Sequence, residues 1–438
     1  MRSTRLNRAA ILNRWKVRVS EPSPTALAAL TDEALLEALQ RQTFRFFWEG
    51  AEPASGLARD RNRQDGDTAD NLVAVGGSGF GLMALVVAVT RGWVPRTAAA
   101  ARLSRMLDAL ERAARHHGVY PHFLDGVSGA TIPFGPLDDG GDLVETSFLM
   151  MGLLTARRFF DRPEEADLRG RITVLWEEVE WTWHVQLGQR VLTWHWSPRH
   201  GFKMNHAIRG WNECLITYVL AAASPRHAIA PEIYQAGFCA GPDYYNGNSY
   251  QGIMLPLGPD LGGPLFFAHY SFCGLDPHRL SDAHAGYWQQ NVAHTRINRA
   301  HCIANPGGFA GYGADCWGLT ASDDPSGYDA HAAGNDNGTI SPTAALSSFP
   351  YAPGEAMAAL RHFLRVYGER IWGRYGLTDA FNPGRDWYAD TFLAIDQGPI
   401  IVMIENHRRR LLWNLFMSVP EVRSGLTRLG FVLRNDDA

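Results

Sequence analysis

The sequence predicts an all-α fold, with helices paired into an (α/α) toroid whose long loops gather at one end. Three observations carry this reading. About a dozen segments of helical apolar periodicity follow one another two by two. The stretches between partners are long and rich in Gly, Asp, Asn and aromatic residues, which is the composition of functional loops. No Pro- or Ser-rich linker divides the 438 residues, so a single domain over 25–438 is expected after a basic arm at 1–24.

Taken in order, Thr31 caps a helix over 32–48 with Leu35, Leu36, Leu39, Phe44 and Phe47 on its apolar face. Residues 53–61 read as a loop. Val75-Gly-Gly-Ser-Gly-Phe-Gly81 looks like a phosphate loop but lacks the Gly-Lys-Ser/Thr ending, so nucleotide binding is not expected. Its glycines suit the close approach of a helix end to a neighbour. Helices are expected over 80–90, 95–116, 142–160 and 163–184, with Pro95 and Pro163 at first-turn positions. Residues 190–198 are the best strand candidate, in a hairpin with 181–185 or with the residues after Gly201. A polar entry from Asn205 runs into an apolar helix ending near Ser224. Residues 236–264 read as loop and short strands. Helices follow over 266–273 and 282–305, a loop over 306–339, and helices over 342–349, 354–373, 396–407 and 411–430.

Charge and composition narrow the function. The net charge is −4 and no basic block follows the first twenty residues, so no nucleic-acid partner is expected. No apolar run reaches membrane-spanning length, and no membrane partner is expected. The five cysteines are scattered without a zinc spacing, which predicts reduced thiols and no metal or other cofactor. Asp323-Asp324 and Asn335-Asp-Asn-Gly338 lack the calcium-loop pattern. The N-terminus has no apolar signal core, which predicts a cytoplasmic protein, or a periplasmic one if an export segment has been removed.

The densest chemistry lies in Pro136-Leu-Asp-Asp-Gly-Gly-Asp-Leu-Val-Glu-Thr-Ser-Phe148, which sets Asp138, Asp139, Asp142 and Glu145 around two glycines before an apolar helix. Helix capping accounts for one or two of these acids, not for four. Asp142 and Glu145, three residues apart, share the face of a first helical turn. Glu213 stands between Trp211 and an apolar run. There it is either desolvated and protonated near neutrality, or paired with Arg209 four residues earlier and ionised. Asp396 precedes Gly398-Pro399 at a helix entrance, as a catalytic acid or a plain cap. Two carboxyls in opposite protonation states, aromatic platforms and many polar partners are what glycosidic cleavage requires. Trp194, Trp196, Trp211, Tyr270, Trp317 and Tyr328 are the candidate platforms. Arg59-Asp-Arg61, Asn205-His206, His269-Tyr270, Asn298-Arg299 and Ser322-Asp-Asp324 are the candidate hydroxyl-binding runs.

These motifs resemble a known family. Gly76-Gly-Ser-Gly-Phe-Gly81, the acid turn, Trp194-His-Trp-Ser-Pro198, Arg209-Gly-Trp-Asn-Glu213, Gly262-Gly-Pro-Leu-Phe-Phe-Ala-His-Tyr270, Trp317-Gly-Leu-Thr-Ala-Ser-Asp323 and Ala394-Ile-Asp-Gln-Gly-Pro399 stand in the order seen in the glucoamylase-like domain family. That family includes bacterial β-1,2-glucanases of glycoside hydrolase family 144 and a domain of cyclic β-1,2-glucan synthases. The resemblance runs from about Leu35 to Phe431. It implies an (α/α)6 toroid or barrel with a few short strands at the cleft, and a β-1,2-glucan or oligosaccharide substrate cleaved with inversion. It also implies Glu213 as general acid, Asp396 as the base that activates water, and roles for Asp142 and Glu145 in catalysis or in tuning Glu213. Asp138, Arg59, Asn205, His206, Arg209, Trp211, His269, Tyr270, Asn298, Trp317 and Asp323 are then the expected sugar-binding set. Hydrolysis, transglycosylation and non-catalytic glucan binding are the three activities compatible with it, and the sequence leaves oligomeric state open.

Overall fold

The computed structural model describes residues 22–66 and 70–433. Most of the expected basic arm lies outside the described residues. Its last residue, Pro24, already belongs to a turn of helix, Pro24–Leu27, that is capped by Ser23 and buries Leu27.

Twelve longer helices are labelled α1 to α12 here: α1 (Asp32–Trp48), α2 (Val75–Thr90), α3 (Arg96–Arg112), α4 (Leu143–Phe159), α5 (Ala166–Glu177), α6 (Leu215–Ala223), α7 (Tyr287–Ala304), α8 (Pro342–Leu346), α9 (Pro353–His362), α10 (Ala394–Arg409), α11 (Leu411–Met417) and α12 (Pro420–Arg428). Half-exposed helices alternate with buried ones along the chain. In α3 the buried residues Ala99, Leu103, Met106, Leu107 and Leu110 recur every three or four positions, the stripe of a helix with one wet face. In α2 every residue from Val75 to Ala88 is buried, and so is every residue of α4 from Leu143 to Ala156. The helices α6 and α8 are buried throughout, and α10 nearly so. Such all-round apolarity fits a helix enclosed on every side.

The buried helices pack on one another. Helix α2 lies against α4 and α10, and α10 also meets α1, so the first long helix touches one near the chain's end. The glycines of 75–81 are helical rather than a loop, and two helices touch through them. A Cβ on Gly152 would stand 2.2 Å from the Gly79 carbonyl oxygen, and one on Gly79 would stand 2.1 Å from that of Phe148. Backbone on backbone at this distance admits no side chain. Gly152→Ala is therefore expected to cost about 1–3 kcal/mol of stability, read as a lower midpoint in thermal or denaturant unfolding.

Helix boundaries move by a few residues where polar entries precede them. The expected helix over 163–184 is a 3-10 turn (Pro163–Glu165), then α5, then a second 3-10 turn (Trp181–His184). Residues 266–273 break into the short turns Leu265–Ala268 and Ser271–Cys273. The region 282–305 is helical only from Tyr287, and residues 354–373 pass through a π turn at Phe363–Tyr367. The strand expected within 190–198 shrinks to His195–Trp196. Its ladder partner is Gly141–Asp142, with Asp142 opposite His195. Isolated bridges, Val185 with Leu192, Ser197 with Gly201 and Thr193 with Ala207, link the segment to the hairpin partners read from sequence.

Candidate active site

Contacts between helix starts place the acids. The Gly76 N–H at the start of α2 donates to Glu145 Oε2 in α4 at 2.7 Å, and a Cβ on Gly76 would collide with that carboxylate at 2.6 Å. Gly77 touches Ala394 at the start of α10. The Thr343 hydroxyl in α8 donates to the Asp396 carbonyl at 2.9 Å. The N-terminal ends of four buried helices therefore meet, and Asp142, Glu145 and Asp396 ride on them.

One cluster is built around Asp142. Its backbone is held by the two-residue ladder with His195–Trp196 and by the Tyr120 carbonyl. Its Oδ1 caps α4, accepting from the N–H groups of Val144 (3.0 Å) and Glu145 (2.9 Å), and accepts from Trp194 Nε1 at 2.9 Å. Its Oδ2 meets His122 Nδ1 at 3.0 Å, with His195 Nε2 at 3.8 Å. Burial pushes the Asp142 pKa up, but the His122 bond and charge, His195 and the capping N–H outweigh it, and the net shift is downward. His122 is lifted to about 10: burial works against its charge, while Glu145, Asp142 and Asp138 favour it. An ionised carboxylate and an imidazolium thus lie side by side. His122, Asp138 and Asp142 also offer ligand atoms within 4.8 Å of one another, so this trio could hold a cation; with His122 protonated, its own charge fills that role.

Three carboxyls nearby take the opposite course. Burial and the Asp142 charge raise Asp138 to about 6. Burial raises Glu145 to about 7 against the pull of His122. Glu213 sits in the turn just before α6, where the Ser271 hydroxyl donates to its carbonyl and accepts the Ile216 N–H. Part of its surface stays open. Burial, with repulsion from Asp142 and Glu145, pushes its carboxyl up to about 7. The pairing with Arg209 does not form. Gly210 has a φ of +76° and the helix starts only at Leu215, so helical i, i+4 geometry does not apply, and Arg209 points outward. Asp139 is turned the other way, onto Arg199 at 2.5 Å.

A second acidic cluster lies near the first, and the Asp60 charge bears on both Glu145 and Asp396. Asp396 lies in the first turn of α10, but it caps nothing: Leu393 is the N-cap, without a side-chain bond. Burial raises Asp396 far above the carboxylate range, and Asp379 adds to the shift. Asp379, raised by burial and by Asp323 to about 7, is within hydrogen-bonding reach of Asp396. Asp379 Oδ1 and Asp396 Oδ2 are both buried and have no donor. Two such oxygens at close quarters are satisfied when the pair shares a proton. The Asp323 N–H anchors the other Asp379 oxygen at 2.7 Å, and Asp323 in turn accepts from Arg61 (3.2 Å) and from the Thr391 hydroxyl (2.6 Å). Tyr270, held between Phe266, Phe80 and Phe148, feels both Asp396 and Glu213 and so links the clusters.

The remaining expected sugar-binding residues scatter. Trp211 is buried against Tyr244, Phe272 and Tyr287, and Trp317 is buried in the apolar cluster with Leu319 and Ile340. Asn298 is spent on both backbone groups of Leu319, and His269 on Ser348. The structure puts these four in the core rather than on the cleft. Arg59 is buried and donates to the Asp70 carbonyl. Asn205 is exposed and accepts from Gln186 and Gln189, and exposed His206 stacks on Trp194 at 4.9 Å. Sequence reasoning missed His122 and Asp379, and met Asp60 and His195 only as members of the Arg59–Arg61 run and the Trp194–Pro198 motif. For His122 and Asp379 the only signal was an isolated polar residue beside an apolar one.

With this geometry in hand, likeness to known proteins can be read. A family model described as "putative glucoamylase" matches residues 205–420. The exo β-1,2-glucooligosaccharide sophorohydrolase of Parabacteroides distasonis is 46% identical over 423 residues, covering 91% of this chain and 58% of that protein. A solved endo-β-1,2-glucanase from Chitinophaga pinensis, in complex with sophorotriose and glucose, is 48% identical with a TM-score of 0.89, covering 92% of this chain and 99% of that one. A solved structure from Bacteroides uniformis described as a putative glucoamylase is 50% identical with a TM-score of 0.89, covering 92% and 98%. Fold and site define a helix-rich protein with a cluster of buried carboxyls, and the chain belongs to the glucoamylase-like family, alongside these relatives. It spans 58% of the length of the curated relative it matches.

Proposed function

We propose that this chain is a glycoside hydrolase that cleaves β-1,2-linked glucan or gluco-oligosaccharides in the cleft of an (α/α)6 toroid formed by a single domain. The alternation of buried and half-exposed helices supports the toroid. The observation that carries the activity is Glu213, a carboxyl raised to about 7 within electrostatic reach of an Asp142 held ionised. That is the acid half of a carboxyl pair with separated protonation states.

In this reading the Glu213 proton passes to the glycosidic oxygen as the C1–O bond breaks. Asp396, ionised in the productive form, takes a proton from water as that water attacks C1 from the opposite face. The imidazolium of His122 keeps Asp142 charged, and that negative field helps hold the proton on Glu213. The product is the inverted, α-configured reducing end. Incubation with linear β-1,2-glucan tests this. The expected result is a rise in reducing ends, with the α anomer seen first by NMR. Constant reducing ends with altered chain lengths would mean transfer to a sugar hydroxyl, and no change of any kind would mean binding alone. No helix among the described residues is long and apolar enough to cross a membrane.

A further inference from the structure

One exposed aromatic ring lies against the acid turn, and none of the roles above uses it. Phe134 is 62% exposed, an unfavourable place for a phenyl ring unless something covers it. Single exposed apolar side chains are ordinary on protein surfaces; the neighbours of this one are not. The ring lies 4.7 Å from that of His122 and 5.6 Å from that of Phe123. His122 is the residue bonded to Asp142. The Phe134 N–H donates to the Asp138 carbonyl at 2.9 Å, and Gly135 exchanges backbone bonds with Asp138 in both directions. One tight turn therefore presents both the ring and the Asp138 carboxyl. Phe134 has one face on the His122–Phe123 edge and most of its surface open.

The geometry points to Phe134 as a substrate-contacting residue that stacks on a glucosyl unit just outside the one held at the Asp138 turn, so that it sets a preference for longer chains. This rests on the glucan-cleaving reading. In a β-linked glucosyl unit the ring hydroxyls are equatorial, which leaves two flat faces of C–H groups. Such a face covers an exposed phenyl ring and removes apolar surface from water on both sides. Because the ring is at the rim, only a chain long enough to reach it gains from the contact. The contact then contributes to holding the chain in register over the acids rather than to bond cleavage itself.

The test is steady-state kinetics of Phe134→Ala, Phe134→Trp and the wild type on β-1,2-gluco-oligosaccharides from trisaccharide to hexasaccharide. For Phe134→Ala the expected result is a fall in kcat/KM of roughly 3- to 10-fold on the hexasaccharide, carried mainly by KM. The shortest cleaved substrate should change little, and Phe134→Trp should retain the long-chain preference. Unfolding midpoints of both variants should match the wild type, because little packing is lost. A uniform loss at every chain length would overturn the inference, since that pattern belongs to a disturbed His122. So would unchanged kinetics throughout. Wild-type turnover on the same series is measured first. If it is absent for every chain length, the glucan-cleaving reading itself fails, whereas turnover with a length-independent ratio between variant and wild type refutes only the role of Phe134.

Discussion

Glu213→Gln is expected to lower kcat on β-1,2-glucan by about 10³-fold while making the protein more stable in alkaline solution. Glutamine keeps the shape of the side chain, but has no proton to give. The wild type should lose activity as pH rises through about 7, where the Glu213 carboxyl ionises. A glycosyl fluoride, whose leaving group departs without a proton, should restore much of the lost rate in the variant and abolish that alkaline limb. The stability effect follows from the same shift. The folded-state pKa of Glu213 is raised from the ordinary 4.5, so the folded protein binds this proton more tightly than the unfolded chain does. Its contribution is fully present below the unfolded value and is lost as pH rises to about 7 and beyond, where a buried charge must be carried. At pH 8 the variant should therefore exceed the wild type by on the order of 1–3 kcal/mol, and near pH 4 the two should converge. Equal unfolding midpoints at pH 8 would mean that Glu213 is not strained in the folded state, and its role as the acid would lose its physical basis.

Much of this site is legible in the sequence, for a local reason. Asp142 and Glu145 share one helical turn, so their common face follows from spacing alone, although the glycines before them make room for distant segments, Gly140 for Trp196–Pro198 and Gly141 for Val119. The desolvation of Glu213 follows from its immediate neighbours, Cys214 and the apolar run after it. The alternation of wholly apolar and striped helices is likewise a local property, so the helical architecture can be read without coordinates. What escapes is set by partners distant in the chain. His122 matters only because the Asp142 N–H donates to the carbonyl of Tyr120, two residues before it, which brings the Asp142 carboxylate up to the imidazole. Asp379 matters only through Asp396, seventeen residues on and beyond a strand, Thr391–Leu393, that pairs with Arg61–Arg63. Aromatic residues misled for the complementary reason. Trp211 and Trp317 stand in polar, glycine-rich sequence, yet such segments can fold their large side chains inward. Gly258, at a φ of +108°, lies close enough to the Trp211 ring that a Cβ there would stand 3.1 Å from it. Residence in a loop says nothing of which way a ring points.

The pairing of Asp379 with Asp396 makes a second sharp expectation, because the two residues should fail differently. Asp396→Asn removes the base proposed to activate water, and kcat should fall by about 10³-fold at every pH. Asp379→Asn leaves that base in place. An asparagine there can still accept the Asp323 N–H through its carbonyl, and its amide can donate to Asp396, replacing the shared proton with a fixed one. The first effect on Asp396 is to remove a neighbouring carboxyl that resists its ionisation. Asp323 and Asp60 still oppose ionisation from the same cluster, while Arg61 stays on Asp323 and Asp60, so the Asp396 pKa should fall without reaching an ordinary value. The acid limb of the pH–rate profile should then move to lower pH, with kcat near neutrality reduced by less than about tenfold. A purely structural role for Asp379 would lower the rate without moving that limb. If Asp379→Asn proves as inactive as Asp396→Asn at all pH values, the two carboxyls exchange places in the mechanism, and the base is Asp379 rather than Asp396.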